Sequence, residues 1–322
     1  MSAALSFRNV SCSFDGLTVV DSVSFDIAVG EIVCLLGPSG CGKTTSLRLA
    51  AGMEQPDSGE IYLAERLVSS GDKVEPPEAR GIGFLFQDFA LFPHLNVLDN
   101  VTFGLRAYDP QEQKARALDL LNAVGLSGFA NKYPSTLSGG EQQRAALARA
   151  MAPRPRLVLM DEPFSNLDPQ LRDQMRDLTL RLLKENEAAG LIVTHDAADA
   201  LRMADRIAVQ TKGKILQMDT PENIYQNPTY LEVAAMFGPV NMLPGENGKA
   251  VRPNDVAFSG SGDDIQLAGE VTALRPIGRE ILCDITLESG ESWHALVPVA
   301  EQPTLGTHKL FVPQACLMLF KS

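Results

Sequence analysis

Residues 31–45 read "EIVCLLGPSGCGKTT": a run of apolar side chains, a glycine-rich turn, and the opening of a helical stretch, "KTTSLRLAA". A short continuous apolar run is the habit of a strand covered on both faces. The turn fits the pattern Gly, four residues, Gly-Lys-Thr, and it lies between strand and helix, where that pattern makes a phosphate-binding loop. Its glycines let backbone N–H groups converge on phosphate oxygens, and Lys43 reaches the outer phosphates. The Thr44 hydroxyl is placed to ligate magnesium, and the helix N-terminus adds positive potential. A mere glycine-rich turn with an exposed lysine would not account for the flanks. The candidate phosphate contacts are Gly37, Pro38, Ser39, Gly40, Cys41, Gly42, Lys43, Thr44 and Thr45. The thiol at Cys41 predicts that alkylation blocks nucleotide binding.

Three further apolar runs have the same texture: "IGFLF" (82–86), "LVLM" (157–160) and "LIV" (191–193). Helical stretches lie between them, including "PQEQKARALDLLNAV" and "DPQLRDQMRDLTLRLLKENEAA". This alternation predicts a mostly parallel sheet with crossover helices, whose ligands sit at the carboxyl ends of the strands. Each run is followed at once by a residue with chemistry to offer: Gln87, Asp161-Glu162 and His195. Asp161 is placed to hold magnesium and Glu162 to polarise an attacking water as general base. His195 would position Glu162 and the water. The Gln87 amide would reach magnesium or the water. Alone, each has a plain alternative, such as a solvated acidic turn before Pro163 or a polar residue at a strand end, and His94, His294 and His308 are read as structural. The phosphate loop on the same sheet favours the chemical reading.

"LSGGEQQR" (137–144) poses a different question. Ser138 and Glu141 have the spacing of a capping box at the start of the helix "EQQRAALARAMA". That leaves the two glycines unexplained, since each disfavours a helix by up to ~1 kcal/mol relative to alanine. Close approach of a phosphate to a helix N-terminus would need a bare backbone.

The rest of the chain sets bounds. With 322 residues, 45% of them apolar, there is room for two domains. "LSFRNVSCSF" and "VSFDI" near the start alternate like half-buried strands around the turn residues Asp15-Gly16, and "ILCDITL" and "WHALVPV" do so in a tail rich in Gly, Pro and Asn. A net charge of −12 without a Lys/Arg run argues against a nucleic-acid groove or docking on anionic lipid. No apolar stretch has the length of a membrane span, and "MSAALSFRNV" lacks the features of a signal peptide, so a cytosolic chain without membrane insertion is expected. Five cysteines without metal-ligand spacing predict neither disulfide nor zinc.

Taken together, the phosphate loop, Gln87 in "FLFQDFALFPHLNVLDNV", "LSGGEQQRAALARA", "LVLMDEP", "SNLD" (165–168) and "THD" (194–196) resemble an ATP-binding-cassette (ABC) ATPase over residues 5 to about 236. With its β tail the chain is similar to the ATP-binding subunits of bacterial importers that carry a TOBE domain. The resemblance implies an α/β fold: a P-loop NTPase cassette in 1–236, with a mostly parallel sheet, an antiparallel β subdomain and a helical subdomain at about 88–155, then a small all-β TOBE-like domain in 237–322. It implies ATP and Mg2+, and a homodimer packed head to tail, in which Ser138, Gly139, Gly140 and Gln142 face the partner's nucleotide and Asp168 works across the interface. Phe14 matches the aromatic that stacks on adenine. The stretch after Gln87 resembles the surface that receives the membrane permease, and a periplasmic or extracellular solute-binding protein takes part indirectly. Such a subunit works peripherally at the cytoplasmic face of the inner membrane, coupling ATP hydrolysis to transport.

The segments "MEQPDSGE", "FALFPHLNVLDNVTFGL" and "FSNLD" look closest to ferric-iron importers, and recur in thiamine, sulfate, polyamine and sugar importers. Departures from the pattern are Asn166 in "SNLD", the alanines of "THDAADAL", and Asn254 in "VRPNDV" where the family has Glu. A non-transport cassette ATPase is disfavoured by the absence of a second cassette or coiled-coil insertion. A GTPase would want an Asn-Lys-x-Asp reader, and Asn131-Lys132 runs into Tyr133-Pro134.

Overall fold

The computed structural model describes residues 3–105, 108–165, 167–245 and 248–321; Asn166 lies outside them. The chain divides into two compact units, 1–221 and 222–322. In the first, β1 (Ala3–Phe14) and β2 (Leu17–Ala28) form a hairpin. Then come β3 (Ile32–Leu36), α1 (Lys43–Ala51), β4 (Ser58–Leu63), β5 (Arg66–Ser70), β6 (Lys73–Val74) and β7 (Gly83–Leu85). After β7 the chain makes α2 (Val97–Thr102), α3 (Pro110–Ala123) and α4 (Gly139–Met151). It returns through β8 (Leu157–Asp161), α5 (Pro169–Glu185), β9 (Ala189–Thr194), α6 (Ala197–Met203), β10 (Arg206–Thr211) and β11 (Lys214–Asp219).

Two sheets result. One is antiparallel in the order β2-β1-β4-β5-β6; the other runs β11-β10-β3-β9-β8-β7, with every pair parallel except β10–β11. All five residues of β3 and all six of β9 are buried, as continuous apolar runs demand. Phe7, Ile27 and Ile61 of the first sheet share a core with Leu35, Leu159 and Leu191 of the second and with Leu47 and Leu49 of α1. Parallel pairing of β3, β9, β8 and β7 puts their carboxyl ends on one edge, and with it the loops that begin at Gly37, His195, Glu162 and Phe86.

The expected strands and helices occur with shifted ends. The helical stretch expected over 168–189 stops at Glu185: Asn186 N bonds back to the Leu182 and Lys184 carbonyls, Glu187 turns left-handed at φ 50°, and Ala189 already pairs with Leu157 in β9. Ala188 and Ala189 suit a helix by propensity, but burial in the sheet overrides it.

The second unit opens within α7 (Pro221–Gln226) and continues through α8 (Leu231–Met236) into β strands. Strands β12 (Asn241–Met242), β13 (Lys249–Val251) and, from the chain's end, β18 (Met318–Leu319) form one antiparallel sheet. Strands β14 (Ile265–Ile277), β15 (Glu280–Leu287), β16 (Ser292–Pro298) and β17 (Gly306–Val312) form another, in the order β16-β15-β14-β17. Trp293 anchors the core, 1% exposed, with its indole N–H donated to the Met242 carbonyl at 3.0 Å. Residues 222–236, placed with the cassette by the boundary expected at 236, group with this unit instead. Arg252 Nη1 bonds the Ala234 carbonyl at 2.9 Å, its guanidinium lies 4.5 Å from the Tyr225 ring centroid, and Lys321 N bonds the Thr229 carbonyl.

Candidate nucleotide site

The loop after β3 joins that strand to α1. Pro38, Ser39 and Gly40 form an exposed rim, Gly37, Cys41, Gly42 and Lys43 lie buried, Thr44 is exposed and Thr45 half-buried. Gly42 caps α1 at φ 100°, and a Cβ there would stand 2.3 Å from the Val19 carbonyl oxygen, so only glycine allows the turn. Lys43 Nζ donates to the Gly37 and Pro38 carbonyls at 2.8 and 3.0 Å, folding its ammonium into its own loop. Burial pushes the Cys41 thiol above its ordinary range, against the pull of Lys43.

Opposite the loop, Thr44 Oγ1 donates to Asp161 Oδ1 at 3.2 Å, a pair of oxygen ligands joining α1 to the end of β8. Burial raises the Asp161 carboxyl, the Thr44 hydroxyl bond partly offsets this, and neighbouring Glu162 adds to the rise. Glu162 sits at φ 43°, a left-handed backbone that costs a non-glycine residue about 1–3 kcal/mol. The conformation is held by its N–H to the Val193 carbonyl at 2.9 Å and by Ser165 Oγ on its own carbonyl at 3.0 Å. It leaves the carboxylate between two partners from neighbouring strand ends: Oε1 lies 2.9 Å from His195 Nδ1, and Oε2 accepts from Gln87 Nε2 at 3.4 Å. A cavity of about 460 Å3 opens beside Thr44 and Asp161, walled by Phe84, Phe86, Gln87 and Arg48. Lys43, Thr44, Asp161, Glu162, His195 and Gln87 thus form one cluster at a phosphate loop.

The signature residues stand apart from it. Among the described residues no hydrogen bond joins Ser138, Gly139, Gly140 or Gln142 to that cluster. Ser138 caps α4 in a complete capping box: its Oγ accepts from Glu141 N at 3.4 Å and its N–H donates to Glu141 Oε2 at 2.7 Å. Those bonds hold the Glu141 carboxyl below its ordinary range. Gln142 spends its amide on the Pro134 and Leu137 carbonyls, at 3.1 and 3.2 Å, bracing its own loop. Ser138 and Gly139 are exposed, whereas Gly140 is buried. Asp168, also exposed, caps α5 by accepting from Leu171 N at 3.0 Å. Phe14 ends β1 with 43% of its surface exposed, and its ring is open to a flat ligand.

A family model described as ABC transporter matches residues 20–165. The chain is 46% identical over 242 residues to an Fe(3+) ions import ATP-binding protein of Haemophilus influenzae, covering 74% of this chain and 68% of that protein. It is 43% identical over 283 residues to a sulfate/thiosulfate import ATP-binding protein of Pseudomonas aeruginosa, covering 85% of each. The chain belongs to the ABC transporter family, as an ATP-binding import subunit. Among solved structures, the ATP-binding cassette MJ0796, in a dimeric post-hydrolysis state bound to ADP and Pi, matches with a TM-score of 0.60 and 32% identity over 67% of this chain and 98% of that one. As an ABC ATPase, the chain has a phosphate loop and carboxylate cluster of the kind this chemistry needs.

Two supporting residues of this ABC ATPase escape sequence reasoning. Arg80, 4% exposed, donates to the Leu49 and Ala50 carbonyls at 3.1 and 2.8 Å and so fastens the last turn of α1, the helix that carries Lys43. Gln210, wholly buried at the end of β10, lies under the loop with Oε1 3.5 Å from Ser46 Oγ. An isolated polar residue among β10's apolar neighbours is the one signal that could have flagged Gln210. Arg80, in "EPPEARG", carries none.

Proposed function

We propose that the chain drives solute uptake by hydrolysing ATP between two copies of itself. Lys43 and the loop N–H groups bind the phosphates and Phe14 the adenine, with Ser138 and Gly139 of the partner copy closing over the γ-phosphate and Asp168 working across the same interface. Glu162 takes a proton from the attacking water, and His195 and Gln87, each bonded to one of its carboxylate oxygens, fix its orientation. Mg2+, for which the oxygen donors Thr44 Oγ1 and Asp161 fit a hard cation, would neutralise phosphate charge. ATP binds the closed dimer better than the open one, so hydrolysis and release reopen it, and that motion passes to a separate permease at the cytoplasmic face of the membrane. Among the described residues no helix is long and apolar enough to cross a membrane, which supports a peripheral attachment through that partner.

The observation that carries this reading is the Glu162 carboxylate held 2.9 Å from His195 Nδ1 beside the Asp161–Thr44 pair. Glu162→Gln keeps the shape and removes the base, so it should cost about 10²–10⁴ in hydrolysis and trap a dimer in ATP. A Glu162→Gln protein that stays monomeric in ATP by light scattering sinks the proposal.

As cargo we propose ferric iron, supported by the 46% identity to the Haemophilus influenzae Fe(3+) import protein. Sulfate is a second reading, favoured by the alignment with the Pseudomonas aeruginosa protein, which extends over 85% of this chain. Stimulation of ATP hydrolysis in the reconstituted complex by one loaded binding protein and not the other decides between them.

A further inference from the structure

The signature motif and the catalytic cluster of one chain lie on different elements, yet the first turns of α5 touch the signature helix and the segment that follows His195. Leu171 packs so closely on the signature helix that a Cβ at Gly140 would stand 2.5 Å from Leu171 Cδ2. The next residue, Arg172, donates from Nη1 to Asp196 Oδ2 at 2.9 Å and from Nη2 to the Leu167 carbonyl at 3.3 Å. One turn on, Arg176 grips buried Asp199, through Nε at 2.6 Å and through Nη2. Both aspartates meet at Thr194: its hydroxyl donates to Asp199 Oδ2 at 3.2 Å and accepts from Asp196 N at 3.0 Å. His195 is therefore bracketed by two residues tied to α5 through two arginines, while its own ring is bonded to Glu162. The signature helix also reaches the other catalytic loop, for buried Gln143 donates to the Pro163 carbonyl, next to Glu162.

Stability alone does not explain the outer link. Arg172 and Asp196 are 26% and 30% exposed, and a pair that open to water adds little to a fold. Its geometry does explain register: a shift of the signature helix moves Leu171, and the neighbouring arginine carries that shift to the residue after His195. We propose that Arg172 is a positioning residue that transmits the seating of the signature motif on the partner's nucleotide to His195 of its own site. This rests on the two-copy reading above, in which Ser138 and Gly139 serve one ATP while Glu162 and His195 of the same chain serve the other. Helix α5 is then the link between the two sites, and hydrolysis at one waits on closure at the other.

Two variants test it on the full chain. Arg172→Met keeps side-chain length and removes charge and donors; Asp196→Asn weakens the pair from the other end and keeps the side-chain oxygen that caps α6 by accepting from Ala198 N. A misplacement of the order of 1 Å can cost about 10²-fold, so kcat should fall by about tenfold or more in each. KM and the affinity for a fluorescent ATP analogue should stay within about twofold, the split that separates positioning from binding. The double variant should be no worse than Arg172→Met, because both remove one interaction, and Arg172→Lys should recover part of the rate. Arg172→Met placed in the Glu162→Gln chain should still form the ATP-trapped dimer. Unchanged kcat, losses that add in the double variant, or ATP affinity falling in step with kcat would overturn the proposal and leave the dimer standing. Failure of Glu162→Gln itself to dimerise would overturn the two-copy reading, and this proposal with it.

Discussion

Replacing Arg80 by methionine should loosen the helix that carries the phosphate loop, and the size of the effect follows from its bonds. The guanidinium has five N–H groups and five acceptors: the carbonyls of Glu75 (2.8 Å), Leu49 (3.1 Å), Ala50 (2.8 Å) and Val68 (3.3 Å), and Ser69 Oγ (2.5 Å). Leu49 and Val68 keep second donors in Gly52 N and Glu75 N, so methionine strands three acceptors: Glu75 O, Ala50 O and Ser69 Oγ. At about 1–3 kcal/mol for each buried acceptor left unpaired, the loss is roughly 3–9 kcal/mol. Against this stands the desolvation of Arg80, which pushes its pKa down to about 10 and represents about 3 kcal/mol that methionine no longer incurs. The net destabilisation is roughly 0–6 kcal/mol with a midpoint of about 3 kcal/mol, the midpoint being equivalent to a fall of about 6–12 °C in the melting temperature for a unit of this size. ATP affinity should drop as well, since Ala50 lies in the last turn of the helix that begins at Lys43. Arg80→Lys, with three donors in place of five, should fall between the two. Scanning calorimetry and nucleotide titration on the three proteins provide the check. A lysine variant as stable as the parent would mean that charge alone matters, and a methionine variant melting above the parent would refute the bond-by-bond account.

Gly139→Ala and Gly140→Ala should separate stability from activity. A Cβ at Gly139 meets nothing within 4 Å, so alanine should leave melting unchanged or raised and still impair hydrolysis, whereas at Gly140 the clash with Leu171 should cost about 1–3 kcal/mol and be relieved by Leu171→Ala; equal melting of the two variants contradicts this. Cys41, which is buried, should alkylate more slowly than half-buried Cys316, both thiols being pushed up, and ATP binding should be lost once Cys41 has reacted, as mass spectrometry and nucleotide binding would register; faster modification of Cys41 counts against the buried geometry. For Asp161, a raised carboxyl means that the folded chain keeps a proton the unfolded chain has already lost. That contribution to stability is present at low pH and is lost as pH rises through the folded value. In the proposed mechanism Mg2+ takes the carboxylate, so stabilisation by Mg2+ with ATP should weaken as pH falls into that range, and Asp161→Asn should abolish the dependence; the same pH slope in both proteins excludes Asp161 as its source.

What could be read from the sequence was chemistry tied to the ends of apolar runs. Gln87, Glu162 and His195 each follow a strand and Asp161 ends one, and parallel pairing alone brings such positions to one edge. Hidden were contacts between distant segments: Arg80 on the carbonyls of Leu49 and Ala50, or Arg172 on Asp196, whose partners no local pattern announces. Strand and helix ends shifted for a related reason, as at Ala189, where sheet burial outweighs helix propensity.

The two glycines of "LSGGEQQR" illustrate both limits, because one reason was offered for the pair and the structure separates them. Gly140 is bare because Leu171 lies against it within the same chain, and Gly139 faces open space. The capping box and the phosphate are also not rivals. Ser138 Oγ takes the N–H of Glu141, and the Ser138 carbonyl takes that of Gln142. Among the described residues, the N–H groups of Gly139 and Gly140 are left without an acceptor, at the positive end of a thirteen-residue helix. The cap therefore holds the helix end in shape while leaving two donors free, and in the proposed dimer the bare Gly139 would let the partner copy's phosphate come close enough to use them.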